Sequence, residues 1–78
     1  MAGEQRGVLV ADLRGWRRHA TLTQEQLAAR AGVSRLTVLH AERHLPISIP
    51  NVQALAKALG MSVQQLRFDN APQDNISR

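Results

Sequence analysis

Residues 23–44, TQEQLAARAGVSRLTVLHAERH, constrain the fold more than any other stretch of this chain. Thr23 followed three residues later by Gln26 is a capping box, in which the hydroxyl accepts a free backbone N–H and the Gln26 side chain reaches back to the cap. Leu27, Ala28 and Ala31 give the helix that starts there its buried stripe, and Gly32 ends it where the backbone takes a positive φ. Val33 plugs the turn. Ser34 then caps a second helix, whose inward residues Val38 and Ala41 lie three apart. Ala28 and Ala41 are small enough for the two helices to cross closely, and the outer face of the second is left for solvent or a partner.

The flanking sequence reads as three more helices. Leu9, Leu13, Trp16 and Ala20 recur at spacings of four, three and four, which predicts a first helix with Gly15 inside it at a cost of about 1 kcal/mol. The segment HLPISIPN has two prolines and no helical period, so it is a loop ending in Ser48 as a cap, with Pro50 tolerated in the next first turn. Val52, Leu55, Ala56 and Leu59 fall at i, i+3, i+4 and i+7 up to Gly60. Ser62 with Gln65 predicts another capping box and a short last helix carrying Val63 and Leu66 and ending near Phe68. The expected fold class is therefore all-α, a compact five-helix domain over 7–68, with flexible segments at 1–6 and 69–78.

Composition narrows the function. A chain of 78 residues has room for one modest core but not for a two-layer enzyme with a deep cleft or a separate sensor domain, so no small-molecule ligand is expected. It has no cysteine, hence no disulfide or cysteine-ligated zinc, and no apolar run near the roughly 20 residues of a membrane span. A cytoplasmic protein is expected. The net charge of +4 favours a polyanionic partner, and seven of the ten basic residues precede residue 44. No nucleophile elbow or glycine-rich phosphate loop is present and the acidic residues do not cluster, so neither enzymatic activity nor a cofactor is expected. His40 and His44 have a metal-compatible spacing but no third ligand, and no metal site is assigned to them.

The run Leu13 to Arg67, including LRGWRRHATLTQEQLAARAGVSRLTVLHAER and VQALAKALGMSVQQL, resembles the Cro and phage-repressor type of helix-turn-helix domain, also called xenobiotic-response-element-like. The resemblance implies that Gln24 contacts a DNA phosphate and that Ser34, Arg35, Leu36, Thr37 and His40 read bases from the start and outer face of the third helix. It also implies that Arg17 and Glu42 pair between the first and third helices. Two positions depart from the family pattern: His44 stands where a glycine is expected after the third helix, and Thr21 where one is expected before the second. The first change lets the third helix run on or end by another cap.

Helical geometry supports the same face independently. With Val38 and Ala41 inward, Arg35, Leu36, Leu39, His40 and Arg43 fall on or beside the opposite side. Arg35 is suited to a bidentate contact with guanine O6 and N7, Leu36 to a thymine methyl, and His40 to a base edge or phosphate. On an arbitrary helix the arginines would merely solvate a face; the motif reverses those odds. Leu39 fits a neighbouring loop as well as a groove, and Arg14 and Arg18 fit water as well as a DNA backbone. Trp16, at an apolar position of the first helix, suits core packing better than base stacking.

These features predict a sequence-specific regulator of transcription, a repressor that binds double-stranded DNA as a homodimer on a pseudo-palindromic operator. Val63, Gln64, Arg67 and Phe68 are the expected dimer interface, since a Phe near a loose terminus needs cover. The alternatives are an antitoxin that represses its own operon and also binds a toxin protein, and a protein-binding adaptor of the same fold.

Overall fold

Side-chain caps determine where the helices begin. A computed structural model describes residues 7–72, over which the chain forms α1 (Leu13–His19), α2 (Gln24–Ala31), α3 (Arg35–Glu42), α4 (Ile49–Leu59) and α5 (Val63–Phe68). The expected flexible ends fall largely outside these residues, 1–6 and 73–78 entirely so. Thr23 and Gln26 form the full capping box, with bonds of 3.0 and 2.9 Å. Ser34 and Ser48 each accept the N–H three residues on, from Thr37 and Asn51. Ser62 does the same for Gln65 at 3.0 Å, but the reciprocal Gln65 bond expected of a capping box is not formed among the described residues. Gln65 is exposed on a six-residue helix, where water competes for its amide. Gly32 and Gly60 end α2 and α4 at φ +75° and +71°.

The first helix starts later than its apolar spacing predicts. Asp12 caps it by accepting the Gly15 N–H at 3.2 Å, and the residues before it are extended rather than helical. Val8 and Ile47 exchange two backbone hydrogen bonds as an isolated antiparallel bridge, of 2.8 and 3.0 Å. Side chains along an extended segment alternate. Val10 is accordingly buried in the core and Leu9 is 53% exposed, while Ala20 is the exposed C-cap of α1.

A single cluster of Val10, Leu13, Leu27, Ala28, Val38, Ala41, Ile47, Val52, Leu55, Ala56 and Leu66 forms the core, with Trp16, Val33, Leu59 and Val63 packed around it. Helix α2 lies on α3 and α4, α5 on α4, and α1 on α3. Ala28 and Ala41 are both buried, as their proposed role in helix crossing requires. Beyond α5 the chain turns back over the start of α1: Ala11 N–H donates to Arg67 O, Trp16 Nε1–H to Asp69 O, and Ala71 N–H to Asp12 Oδ2, at 3.0, 3.0 and 2.9 Å. Ala71 is buried by this turn. No helix among the described residues is long and apolar enough to cross a membrane.

The two residues that replace family glycines keep the glycine backbone. Thr21 has φ +58° and His44 φ +60°, the only non-glycine residues in the left-handed region among those described. Helix α3 therefore does not run on past Glu42; Arg43 is its C-cap and His44 makes the turn. The His44 ring lies 3.1 Å from Ala11 O, which holds the turn against the extended segment.

Two substitutions test these local arguments. Thr21→Gly removes left-handed strain from a β-branched residue and should stabilise the fold by about 1 kcal/mol net of the greater freedom of glycine in the unfolded chain. Thermal denaturation should show a rise in Tm of roughly 4–8 °C; no rise would mean that the turn carries little strain. Gly15→Ala, normally worth about +1 kcal/mol in a helix, should here destabilise by about that much. An added Cβ would sit 2.2 Å from Asp12 Oδ2 and displace the carboxylate from both its N–H donors. In an Asp12→Ala background, where there is no carboxylate to displace, the same substitution should become stabilising; an unchanged sign in urea denaturation would refute the account.

Candidate nucleic-acid interface

The outer face of α3 is set by an ion pair behind it. Arg17 on α1 donates from Nε and Nη2 to the two carboxylate oxygens of Glu42 on α3, and from Nη1 to Leu22 O at 2.9 Å. The side chains are only 13% and 6% exposed, respectively. Glu42 Oε1 also accepts from Gln24 Nε2 at 3.2 Å, so the start of α2 joins the same network. With Val38 and Ala41 in the core and Glu42 tied to Arg17, α3 has one possible roll about its axis.

That roll turns the expected reading residues outward to different degrees. Leu36 is 55% exposed, and Ser34, Arg35 and Arg43 are also exposed. Thr37, Leu39 and His40 are half-buried. Ser34 Oγ is engaged in the cap and lies 3.0 Å from Thr37 Oγ1, so these two hydroxyls are held as a pair at the helix start. Arg43 sits at the C-cap, beyond the last turn of α3. Gln24, expected at a phosphate, directs its amide N–H to Glu42 here, while its position at the first turn of α2 puts it beside α3.

One member of this face was not anticipated from sequence. Glu25 Oε2 lies 3.2 Å from Arg35 Nε, and both side chains are largely exposed. The only sequence signal was an acid in the first turn of α2, ten residues before Arg35.

The other assigned surface is on α5. Phe68 is 63% exposed and the Arg67 guanidinium lies 4.7 Å from its ring centroid, a cation–π contact. Arg67 Nε is buried without a hydrogen-bond partner among the described residues, Val63 packs against the core, and Gln64 is exposed. Arg14 and Arg18 line a separate surface depression of about 550 Å³ with Asp12, His19, Ala71 and Pro72. It shares no residue with the α3 face.

Two capped helices crossing at alanines, with the second rolled outward by a buried ion pair, define the class: a helix-turn-helix module of the phage-repressor fold. The chain matches the helix-turn-helix family model over residues 13–66 and belongs to that family, in its Cro and phage-repressor type. Its fold is that of DNA-binding regulators of transcription. Among solved structures it is similar to the restriction-modification controller protein C.AhdI from Aeromonas hydrophila, with 36% identity, 69% of this chain and 83% of that one covered, and a TM-score of 0.65. The hypothetical transcription factor NHTF from Neisseria is 33% identical over 72% of this chain, at a TM-score of 0.65. The chain spans 66% of that protein's length, just under two thirds. The DNA-binding domain of the P22 c2 repressor is 28% identical, with 80% and 84% of the two chains covered and a TM-score of 0.66. No curated protein matches the chain in sequence.

Removing one partner of the buried pair should be far worse than removing both. Glu42→Ala leaves the Arg17 charge and the Gln24 amide without their acceptor and should cost about 3–5 kcal/mol. Arg17→Met combined with Glu42→Leu should cost much less than the sum of the single changes. Urea denaturation of the three variants measures this, and additive losses would count against the pair as a coupled unit.

Proposed function

We propose that this protein is a repressor of transcription that binds a pseudo-palindromic DNA operator as a homodimer in the cytoplasm. The observation that carries the reading is the outward face of α3, where Arg35 and the 55%-exposed Leu36 stand at the helix start while Val38 and Ala41 are buried behind them. Placed in a major groove, the N-terminal residues of such a helix meet base edges. Arg35 takes a guanine through O6 and N7, Leu36 meets a thymine methyl, and His40, one turn on, reaches a base edge or phosphate. One hydroxyl of the Ser34–Thr37 pair donates outward at the helix start while the other is spent in the bond between them, and Arg43 neutralises a phosphate beyond the helix end. Gln24, at the N-terminus of α2, exchanges its bond to Glu42 for a phosphate oxygen or bonds one through its backbone N–H.

A single module of this size reads few base pairs, so two half-sites about 34 Å apart supply the remaining affinity. Phe68, exposed beside Arg67 on α5, is the centre of the proposed dimer contact, with Val63 and Gln64 at its edge. The presence of a controller protein, a hypothetical transcription factor and a repressor's DNA-binding domain among the similar structures supports a regulatory role.

Selection of bound sites from a randomised duplex pool at fixed salt should yield an inverted repeat. Arg35→Ala should then lose about 1–3 kcal/mol of discrimination at one guanine in each half-site, while Arg43→Ala weakens all sequences alike and reduces the salt slope by about 1. A selection that returns no preferred sequence, or an Arg35→Ala protein with intact preference, would refute the base-reading assignment. Sedimentation as a monomer at high micromolar concentration together with tight binding to a lone half-site would refute the dimer.

A further inference from the structure

Glu25 and Arg35 lie in the first turns of successive helices, and the carboxylate of one lies 3.2 Å from Nε of the other. An ion pair this exposed contributes little to stability in water, so folding does not account for it. Its geometry does suggest a use. A guanidinium presents its donors along two edges, and guanine O6 and N7 accept two parallel N–H bonds. The Glu25 carboxylate lies nearest Nε, as an ion pair without a formed hydrogen bond, and among the described residues no hydrogen bond engages Nη1 or Nη2, which leaves that edge for a base. Glu25 is held in the first turn of α2, where the helix dipole favours a carboxylate independently of Arg35.

We propose that Glu25 is a positioning residue for base recognition: it orients Arg35 so that the Nη edge meets guanine end-on. This rests on the reading of Arg35 as the base-contacting residue. In the free protein the pair is solvated and weak. In a groove that excludes water the same contact strengthens, because the local dielectric falls. The carboxylate has a second effect of opposite sign, since it is repelled by phosphates wherever Arg35 does not find its guanine. Glu25 therefore lowers binding to non-cognate DNA and raises discrimination at the cognate base pair. A residue with a merely structural role would move both affinities together.

The test uses the full chain and the best duplex recovered from a randomised pool, compared with the same duplex carrying A·T in place of the guanine pair read by Arg35. Glu25→Gln keeps the size of the side chain and should lower the thermal midpoint by no more than a few degrees, the loss of the carboxylate's interaction with the helix dipole. It should raise affinity for the substituted duplex by roughly twofold to fivefold at low salt. It should also lower discrimination between the two duplexes by roughly threefold to tenfold. In an Arg35→Ala background the effect of Glu25→Gln on discrimination should vanish. Equal strengthening of both duplexes by Glu25→Gln, with discrimination intact, would show the carboxylate to be only a repulsive charge and would overturn the positioning role. If Arg35→Ala itself leaves discrimination intact, the base-reading assignment fails and the positioning role with it. If Arg35→Ala destroys discrimination but Glu25→Gln does not reduce it, only the positioning role fails.

Discussion

The pair between Arg17 and Glu42 links more of this structure than any other contact. One guanidinium binds both oxygens of a carboxylate and the carbonyl of Leu22, and that carboxylate also holds the amide of Gln24. Helix α1, the turn after it, the start of α2 and the end of α3 are thus tied to one largely buried charge pair. An apolar contact at the same place would have held the helices together about as well, because desolvating two charges offsets much of their attraction. It would have left α3 freer to rotate. A forked, hydrogen-bonded pair has one good geometry, and that geometry decides which side chains of α3 face outward.

The tight turns follow from the same packing. Thr21 lies between α1 and Leu22, whose carbonyl Arg17 holds, and His44 lies two residues past Glu42. With both ends of the pair fixed, the chain must reverse in few residues at each place, and both reversals use the left-handed region. The conformation is imposed by the helices and not by the residue that adopts it. The turn N–H groups find acceptors all the same, Thr21 from Arg18 O and His44 from Ala41 O, both within a hydrogen-bonded turn. This is why replacing glycine at both positions strains the backbone without changing the fold.

Local chemistry made most of the fold legible in the sequence. Thr23, Ser34, Ser48 and Ser62 cap helices because each hydroxyl needs only the N–H three residues away, and Gly32 and Gly60 end helices through their own φ. Periodicity failed where two periods fit the same letters. Leu9 is four residues before Leu13, but Val8 and Val10 also alternate, and the extended form prevails because Val8 finds Ile47 across the fold. Asp12 ahead of Gly15 was the local sign of the true helix start. Ala71 carries no such sign, since its burial depends on an aspartate 59 residues earlier. On the α3 face, sequence located the residues but not their partners: Glu25 with Arg35, and Gln24 with Glu42, meet only once the angle between α2 and α3 is fixed.

Those partnerships also organise the charge of the molecule. Three of the four acidic residues in the described region have work within the chain: Asp12 accepts two backbone N–H groups, Glu42 holds Arg17, and Glu25 holds Arg35. Among the described residues, Arg14, Arg18, Arg30, Arg43 and Lys57 form no ion pair with an acid. The cations are thus left to water and to whatever approaches, while the carboxylates are compensated at short range. The net charge of +4 is thus carried mainly by cations that no acid engages, and these are available to a polyanion. At the α3 face the compensation is asymmetric: the Glu42 side chain is 6% exposed and satisfied, whereas that of Glu25 remains 69% exposed. That face therefore carries one carboxylate a phosphate can still sense, and its counterion is the arginine best placed to meet a base.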